Sequence, residues 1–148
     1  MLRIEKHAKI GIDPMLFMYL FEDNPEFSDA CAAILEEVER GERVGITSSI
    51  TLLEILVKPK IDGNQRAIDD YKHILTNFPN LEIIDVDVEI ADIASTLLAR
   101  YPIKTPDAIQ VATAIKGRCS SFITNDLALK QIKEIDVIAL KDIYGSMS

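Results

Sequence analysis

The sequence predicts an α/β fold: a three-layer α/β/α sandwich around a short, mostly parallel sheet of about five strands, built by one domain over residues 1–148. Short β-branched runs alternate with amphipathic stretches along the chain, which is the pattern of βα units around a parallel sheet. The runs are short enough to be buried central strands. No repeat, linker or low-complexity segment interrupts the alternation.

The first strand is expected over Lys9–Asp13, with Pro14 opening the helix that carries Leu16-Phe-Met-Tyr-Leu-Phe21. Phe27, Ala30, Cys31, Ile34, Leu35 and Val38 then recur at helical spacing, with Asn24 as N-cap and Pro25 in the first turn; Cys31 on that face reads as core. A strand over Arg43–Thr47 follows. Two helices in succession, at about residues 49–58 and 63–77, make a helical excursion, the second carrying Ala67, Ile68, Tyr71 and Leu75. The chain returns to the sheet at Leu81–Asp85. Val88, Ala91, Ala94 (or Ser95) and Leu98 mark a helix of about 87–100, and Ala108, Ile109, Ala112 and Ile115 one of about 105–117. Strands over Ser120–Thr124 and Asp136–Ala139 complete the set.

Composition narrows the function. The 148 residues carry 16 Lys plus Arg against 24 Asp plus Glu, a formal charge of −8, and 48% are hydrophobic. A chain of this length buries roughly 68–70% of its unfolded surface, so it needs neither disulfides nor a structural metal to fold. No apolar run approaches the roughly 20 residues needed to cross a bilayer, and the N-terminus lacks the apolar stretch of a signal peptide, so a cytoplasmic protein without a membrane segment is expected. Cys31 and Cys119 have no CxxC spacing, and His7 and His73 are the two histidines, which argues against a zinc site. Any metal must be held by oxygen. The acidic balance also speaks against broad binding of a nucleic-acid backbone.

Acids mark the element ends: Asp13 where the first strand finishes, Glu54 about one turn into a helix opened by Ser48 or Ser49, Asp107 in Thr105-Pro106-Asp107, and Asp126 after Phe122-Ile-Thr124. Ligands of open α/β sheets bind at the carboxyl ends of the strands, near the switch in strand order, so all four can converge on one rim. Each also has a plain structural use. Asp13 can cap the Pro14 helix, Thr51-Leu-Leu-Glu54 fits a capping box, Thr105-Pro106 fits an N-cap and first-position pair, and Asn125 or Asp126 can cap the last helix. Capping leaves Glu54 between Leu53 and Ile55, and Asp107 between Pro106 and Ala108, unexplained. Carboxylates on a partly buried rim repel one another and call for a cation. Mg²⁺ or Mn²⁺, which prefer carboxylate and water ligands and leave room for a phosphate, suit such a cluster. Asp85, Asp87 and Asp92 read as surface or cap residues, and Lys58, Lys60, Arg66, Lys72, His73, Arg100 and Lys104 as mainly solvated charges.

The motifs resemble those of the PIN domain, the Mg²⁺- or Mn²⁺-dependent ribonuclease fold that includes the VapC toxins of toxin–antitoxin pairs. The resemblance spans nearly the whole chain. It rests on Ile10-Gly-Ile-Asp13 before an apolar helix, Ile46-Thr-Ser-Ser-Ile-Thr-Leu-Leu-Glu54-Ile-Leu, Thr105-Pro-Asp107-Ala-Ile-Gln-Val-Ala-Thr-Ala-Ile115, and Phe122-Ile-Thr-Asn-Asp126-Leu-Ala-Leu129. The last two in tandem are the specific part. The resemblance implies that Asp13, Asp107 and Asp126 ligate metal, that Glu54 completes the site directly or through water, and that Thr124 and Asn125 orient ligands or position phosphate. It also implies hydrolysis of RNA phosphodiesters to 5′-phosphate and 3′-hydroxyl ends, a cognate antitoxin and a homodimer.

One departure sets up the alternative. Pro14-Met15 stands where the family has Ser, Thr or Ala and then often Asn after the first Asp, leaving Asp13 without that polar neighbour. The competing reading is therefore a catalytically weak or inactive PIN-like module that binds RNA or a protein partner. A phosphoacceptor domain is a poorer fit, since a haloacid-dehalogenase-type site needs a second Asp at position 15 and a receiver needs an acidic pair near the first strand.

Overall fold

Five parallel strands lie in the order β3-β2-β1-β4-β5 in the computed structural model, which describes residues 7–144. The extreme ends of the expected 1–148 span lie outside the described residues. The strands are β1 (Lys9–Ile12), β2 (Val44–Ser48), β3 (Leu81–Ile84), β4 (Ser121–Thr124) and β5 (Asp136–Ala139). Every neighbouring pair is parallel, so the sheet is more uniformly parallel than "mostly". The strand runs lie within a residue of expectation: Asp13, Arg43, Asp85 and Ser120 fall just outside them, and Ser48 joins β2.

The helices are α1 (Pro14–Phe21), α2 (Ser28–Glu39), α3 (Ser49–Ile61), α4 (Gln65–Thr76), α5 (Val88–Arg100), α6 (Thr105–Lys116) and α7 (Leu140–Tyr144), with a short 3₁₀ turn over Leu127–Gln131. They cover both faces of the sheet. Ile10, Ile12 and Ile123 join Leu16, Phe17, Ile34, Leu35, Ile55 and Leu56 in one buried cluster. Phe122 and Val137 join Ile90, Leu97, Ala108 and Val111 in another. Successive strand residues thus feed opposite layers, as the period of two requires, and the expected three-layer sandwich follows.

The excursion of α3 and α4 is present, and α4 is held to α1 by stacking of Tyr71 on Phe21, with ring centroids 4.5 Å apart. Two expectations need correction. The Asn24 side chain does not cap α2: its Oδ1 accepts from the Glu26 and Phe27 amides, both at 2.9 Å, and closes a turn before the helix, which begins at Ser28. The buried face of α5 is Ile90, Ala94 and Leu97, not the stripe through Val88 and Leu98. Two apolar stripes compete on that helix. The one carrying Ile90 and Leu97 turns inward, and Val88, at the first helical position beyond the sheet edge, is 87% exposed.

Gly11 brings the second layer close. A Cβ there would lie 2.6 Å from the Ala114 Cβ and 2.8 Å from the Phe122 ring, so the missing side chain allows α6 to rest directly on β1.

Candidate functional site

β1 is the first strand laid down, and the chain leaves it on one side to build β2 and β3 and returns on the other to build β4 and β5. The switch in strand order therefore falls between β1 and β4, at whose carboxyl ends Asp13 and Asp126 stand. Asp13 is 6% exposed. One carboxylate oxygen accepts the Met15 amide at 3.0 Å, capping α1, and the other accepts the Thr124 hydroxyl at 2.8 Å. The Thr124 oxygen in turn accepts the Asp126 amide at 3.0 Å. Burial pushes the Asp13 carboxyl up to about 6; the two hydrogen bonds restrain the rise, and the charges of Asp107 and Asp126 add to it.

Ser48 caps α3 by accepting the Ile50 amide at 3.2 Å, which puts Glu54 in the second turn of that helix. Glu54 is half-buried, and burial, followed by the charges of Asp13 and Asp107, pushes its carboxyl up to about 7. Asp107 lies in the first turn of α6. It too is raised, by burial and then by Asp126, while Lys104 draws it the other way. Asp126 caps the 3₁₀ turn through the Ala128 amide at 3.0 Å. Asp13 and Asp107 thus link the set electrostatically, each coupled to Glu54 on one side and to Asp126 on the other, which puts the four acids on one rim. They are not gathered into a ready-made cage: among the described residues, no three His, Cys, Asp or Glu side chains stand in a metal-ligand arrangement.

Capping turns out to divide the acids. Asp13 and Asp126 cap the elements that follow them. The capping box at Thr51 and Glu54 does not form, because Ser48 is the cap and Thr51 points into the interior, 0% exposed. Thr105 is inside its helix rather than at the cap, which is Lys104 with no side-chain bond. Glu54 and Asp107 hence have no capping role, the distinction their apolar flanks suggested. Asn125 is half-buried between Thr124 and Asp126.

Of the basic residues, Lys58 pairs with Glu22 at 3.4 Å and Arg100 with Glu134 at 3.0 Å, both exposed. Asp87 caps α5 and pairs with Lys116, and Asp85 and Asp92 are exposed. Cys31 is core, and burial pushes its thiol up to about 12.

Behind the rim lies a polar cluster that reading for charged groups passed over. The Thr47 hydroxyl donates to the Ile12 carbonyl at 3.1 Å and stands 2.6 Å from the Thr51 hydroxyl. The Gln110 amide donates to Thr51 at 3.1 Å and accepts from Ser48 at 3.1 Å. All four side chains are buried. The available signal was Gln110 itself, an amide within the otherwise small and apolar run Ala108-Ile-Gln-Val-Ala112, where a buried polar group needs partners.

Comparison with known proteins matches this architecture. The family model described as the PIN domain matches residues 12–135. No curated protein matches the chain. Among solved structures, VapBC2 from Rickettsia felis bound to a DNA fragment from their promoter is similar with a TM-score of 0.72 and 18% identity, over 88% of this chain and 98% of that one. A toxin–antitoxin complex from Klebsiella pneumoniae gives 0.67 and 24%, over 90% and 97%. VapC20 from Mycobacterium tuberculosis, described as a sarcin–ricin loop cleaving toxin, gives 0.63 and 15%, over 78% and 87%. At these identities the likeness is one of fold.

Proposed function

The chain belongs to the PIN domain family, and from that premise we propose that it is a metal-dependent endoribonuclease, the toxin of a VapBC-type pair, acting through Asp13, Glu54, Asp107 and Asp126. The observation that carries this reading is the rim of mutually repelling carboxylates at the switch point, with raised pKa values on Asp13, Glu54 and Asp107. Among the described residues, Lys104 is the basic residue whose charge bears on these three, drawing Asp107 down. A cation bound among them would favour their charged forms.

The donor set fits Mg²⁺ or Mn²⁺, being all oxygen, with no imidazole or thiolate in the group. Asp13, Asp107 and Asp126 would hold the ion, with Glu54 bound directly or through water. When bound, it supplies Lewis-acid activation of the attacking water and neutralises charge on the phosphate. The protein's own part is to orient these groups. Thr124 fixes one Asp13 oxygen and the Met15 amide the other, so each keeps lone pairs directed by a bond already made. Asn125, beside Thr124, would donate to a phosphate oxygen.

The inactive-module alternative began from Pro14-Met15. Its premise weakens here, because the Met15 backbone amide holds Asp13 where a polar side chain was missing. A cognate antitoxin fits both the toxin–antitoxin complexes among the structural neighbours and an apolar stripe of Leu53, Val57 and Ile61, exposed along the helix that carries Glu54. RNA as substrate, a homodimer and one domain over 1–148 complete the proposal. Among the described residues, no helix is long and apolar enough to cross a membrane.

The test is Mg²⁺- or Mn²⁺-dependent cleavage of a mixed single-stranded and structured RNA pool by wild type and Asp107→Asn purified in parallel. Cleavage is expected from wild type and lost in the variant. Equal cleavage by both would assign it to a contaminant, and none by folded, antitoxin-free wild type would put the binding-module reading first.

A further inference from the structure

We propose that Gln110 is a positioning residue: through Ser48 and Thr51 its buried amide sets the helix bearing Glu54 against the helix bearing Asp107, and so fixes the spacing of the carboxylates toward a divalent cation. The inference rests on the metal-site reading above.

No single apolar cluster joins the two helices. α3 buries Ile55 and Leu56 in one hydrophobic cluster, whereas α6 buries Ala108, Val111 and Ala112 in the other. The two acid-bearing helices therefore belong to different layers. Gln110 ties them, with both amide atoms used: Oε1 on Ser48, the cap of α3, and Nε2 on Thr51, in its first turn. Glu54 is three residues beyond Thr51, and Asp107 three residues before Gln110, so each acid stands about one helical turn from the tie.

The direction of every bond in the cluster is determined. The Ile12 carbonyl can only accept, so the Thr47 proton goes there. Thr51 must then donate to Thr47 across their 2.6 Å contact, and its oxygen is left to accept the Gln110 N–H. Ser48 takes the Ile50 amide on its oxygen and gives its proton to the Gln110 carbonyl. The chain ends on the residue before Asp13. One run of oriented bonds hence reaches the base of three of the four acids, and its members are between 0% and 3% exposed, out of competition with water.

Calorimetric Mn²⁺ titration tests this, using wild type, Gln110→Met, Thr51→Val and Thr51→Ser. Gln110→Met keeps the volume and removes both amide bonds; Thr51→Val is isosteric and breaks the chain at its middle; Thr51→Ser restores the hydroxyl. The expected result is a loss of about 10-fold or more in Mn²⁺ affinity in Gln110→Met and Thr51→Val. Thr51→Ser should bind like wild type, and RNA cleavage by the weakened variants should recover at saturating Mn²⁺. If Gln110→Met fails to fold, the Thr51 pair decides alone. Wild-type Mn²⁺ affinity in the folded variants, whatever their melting temperatures, would reduce the cluster to a structural clamp and overturn the positioning role alone. A wild type that binds no Mn²⁺ would overturn the metal-site reading and this one with it.

Discussion

Replacing Thr124 by Val probes how Asp13 is held charged. Val matches Thr in shape, so no cavity opens and the effect isolates the hydroxyl. That hydroxyl donates to a buried carboxylate and accepts the Asp126 amide. A hydrogen bond to a charged group contributes about 1.5–3 kcal/mol, and an amide left without its partner costs about 1 kcal/mol more, so metal-free protein at pH 8 should lose about 3 kcal/mol. For a chain of this size that lowers Tm by about 6–12 °C. Below about 6, where Asp13 is largely protonated, the lost bond is a neutral one and the penalty shrinks by about 1 kcal/mol, equivalent to a further rise of about one unit in the Asp13 pKa. Thermal melts in chelator at pH 5 and pH 8, with a carbon-detected NMR titration of Asp13, measure both quantities. Equal losses of Tm at the two pH values, together with an unmoved Asp13 titration, would refute the claim that Thr124 stabilises the charged form.

Without metal, the raised Asp13 and Glu54 carboxyls make the native state bind more protons than the unfolded chain between their ordinary range and about 6 and 7, so stability should fall as pH rises through that window. Glu54→Gln should flatten the upper part of the fall and raise the metal-free Tm at pH 8 while weakening Mn²⁺ binding; a variant less stable than wild type at pH 8 in chelator would sink this account of the rim. Gly11→Ala should cost about 1–3 kcal/mol by pushing α6 off β1, and should weaken Mn²⁺ binding as well because Asp107 rides on that helix. A melting temperature equal to that of wild type would contradict the close approach.

The parallel sheet and the acid positions were legible because both are written locally. Strand runs bounded by amphipathic stretches, and acids at their ends, depend on neighbours in sequence. What escaped depends on neighbours in space. The face of α5 could not be chosen from two competing apolar stripes without knowing where the sheet edge lies, and Val88 was assigned inward although it ends exposed. Asn24 has the chemistry of a helix cap and uses it one turn early. Pro14-Met15 offers Asp13 no polar side chain, and the bond from the Met15 backbone amide is not written in residue types. Gln110 was visible in its motif, but its partners Ser48 and Thr51 lie about 60 residues away, at separations of 62 and 59.

The strand order also has a consequence in time. β1 acquires its second neighbour only when β4 is available, and the bond from Thr124 to Asp13 spans 111 positions of sequence. Such distant closure is slow and late compared with the local pairing of helix and strand. On the ribosome, a nascent chain can therefore complete β1, β2, β3 and α6, with three of its acids already made, and still have no assembled rim. Chains interrupted before β4 carry Asp13 without the strand that orients it, so the order of the sheet ties any activity of the site to synthesis through β4.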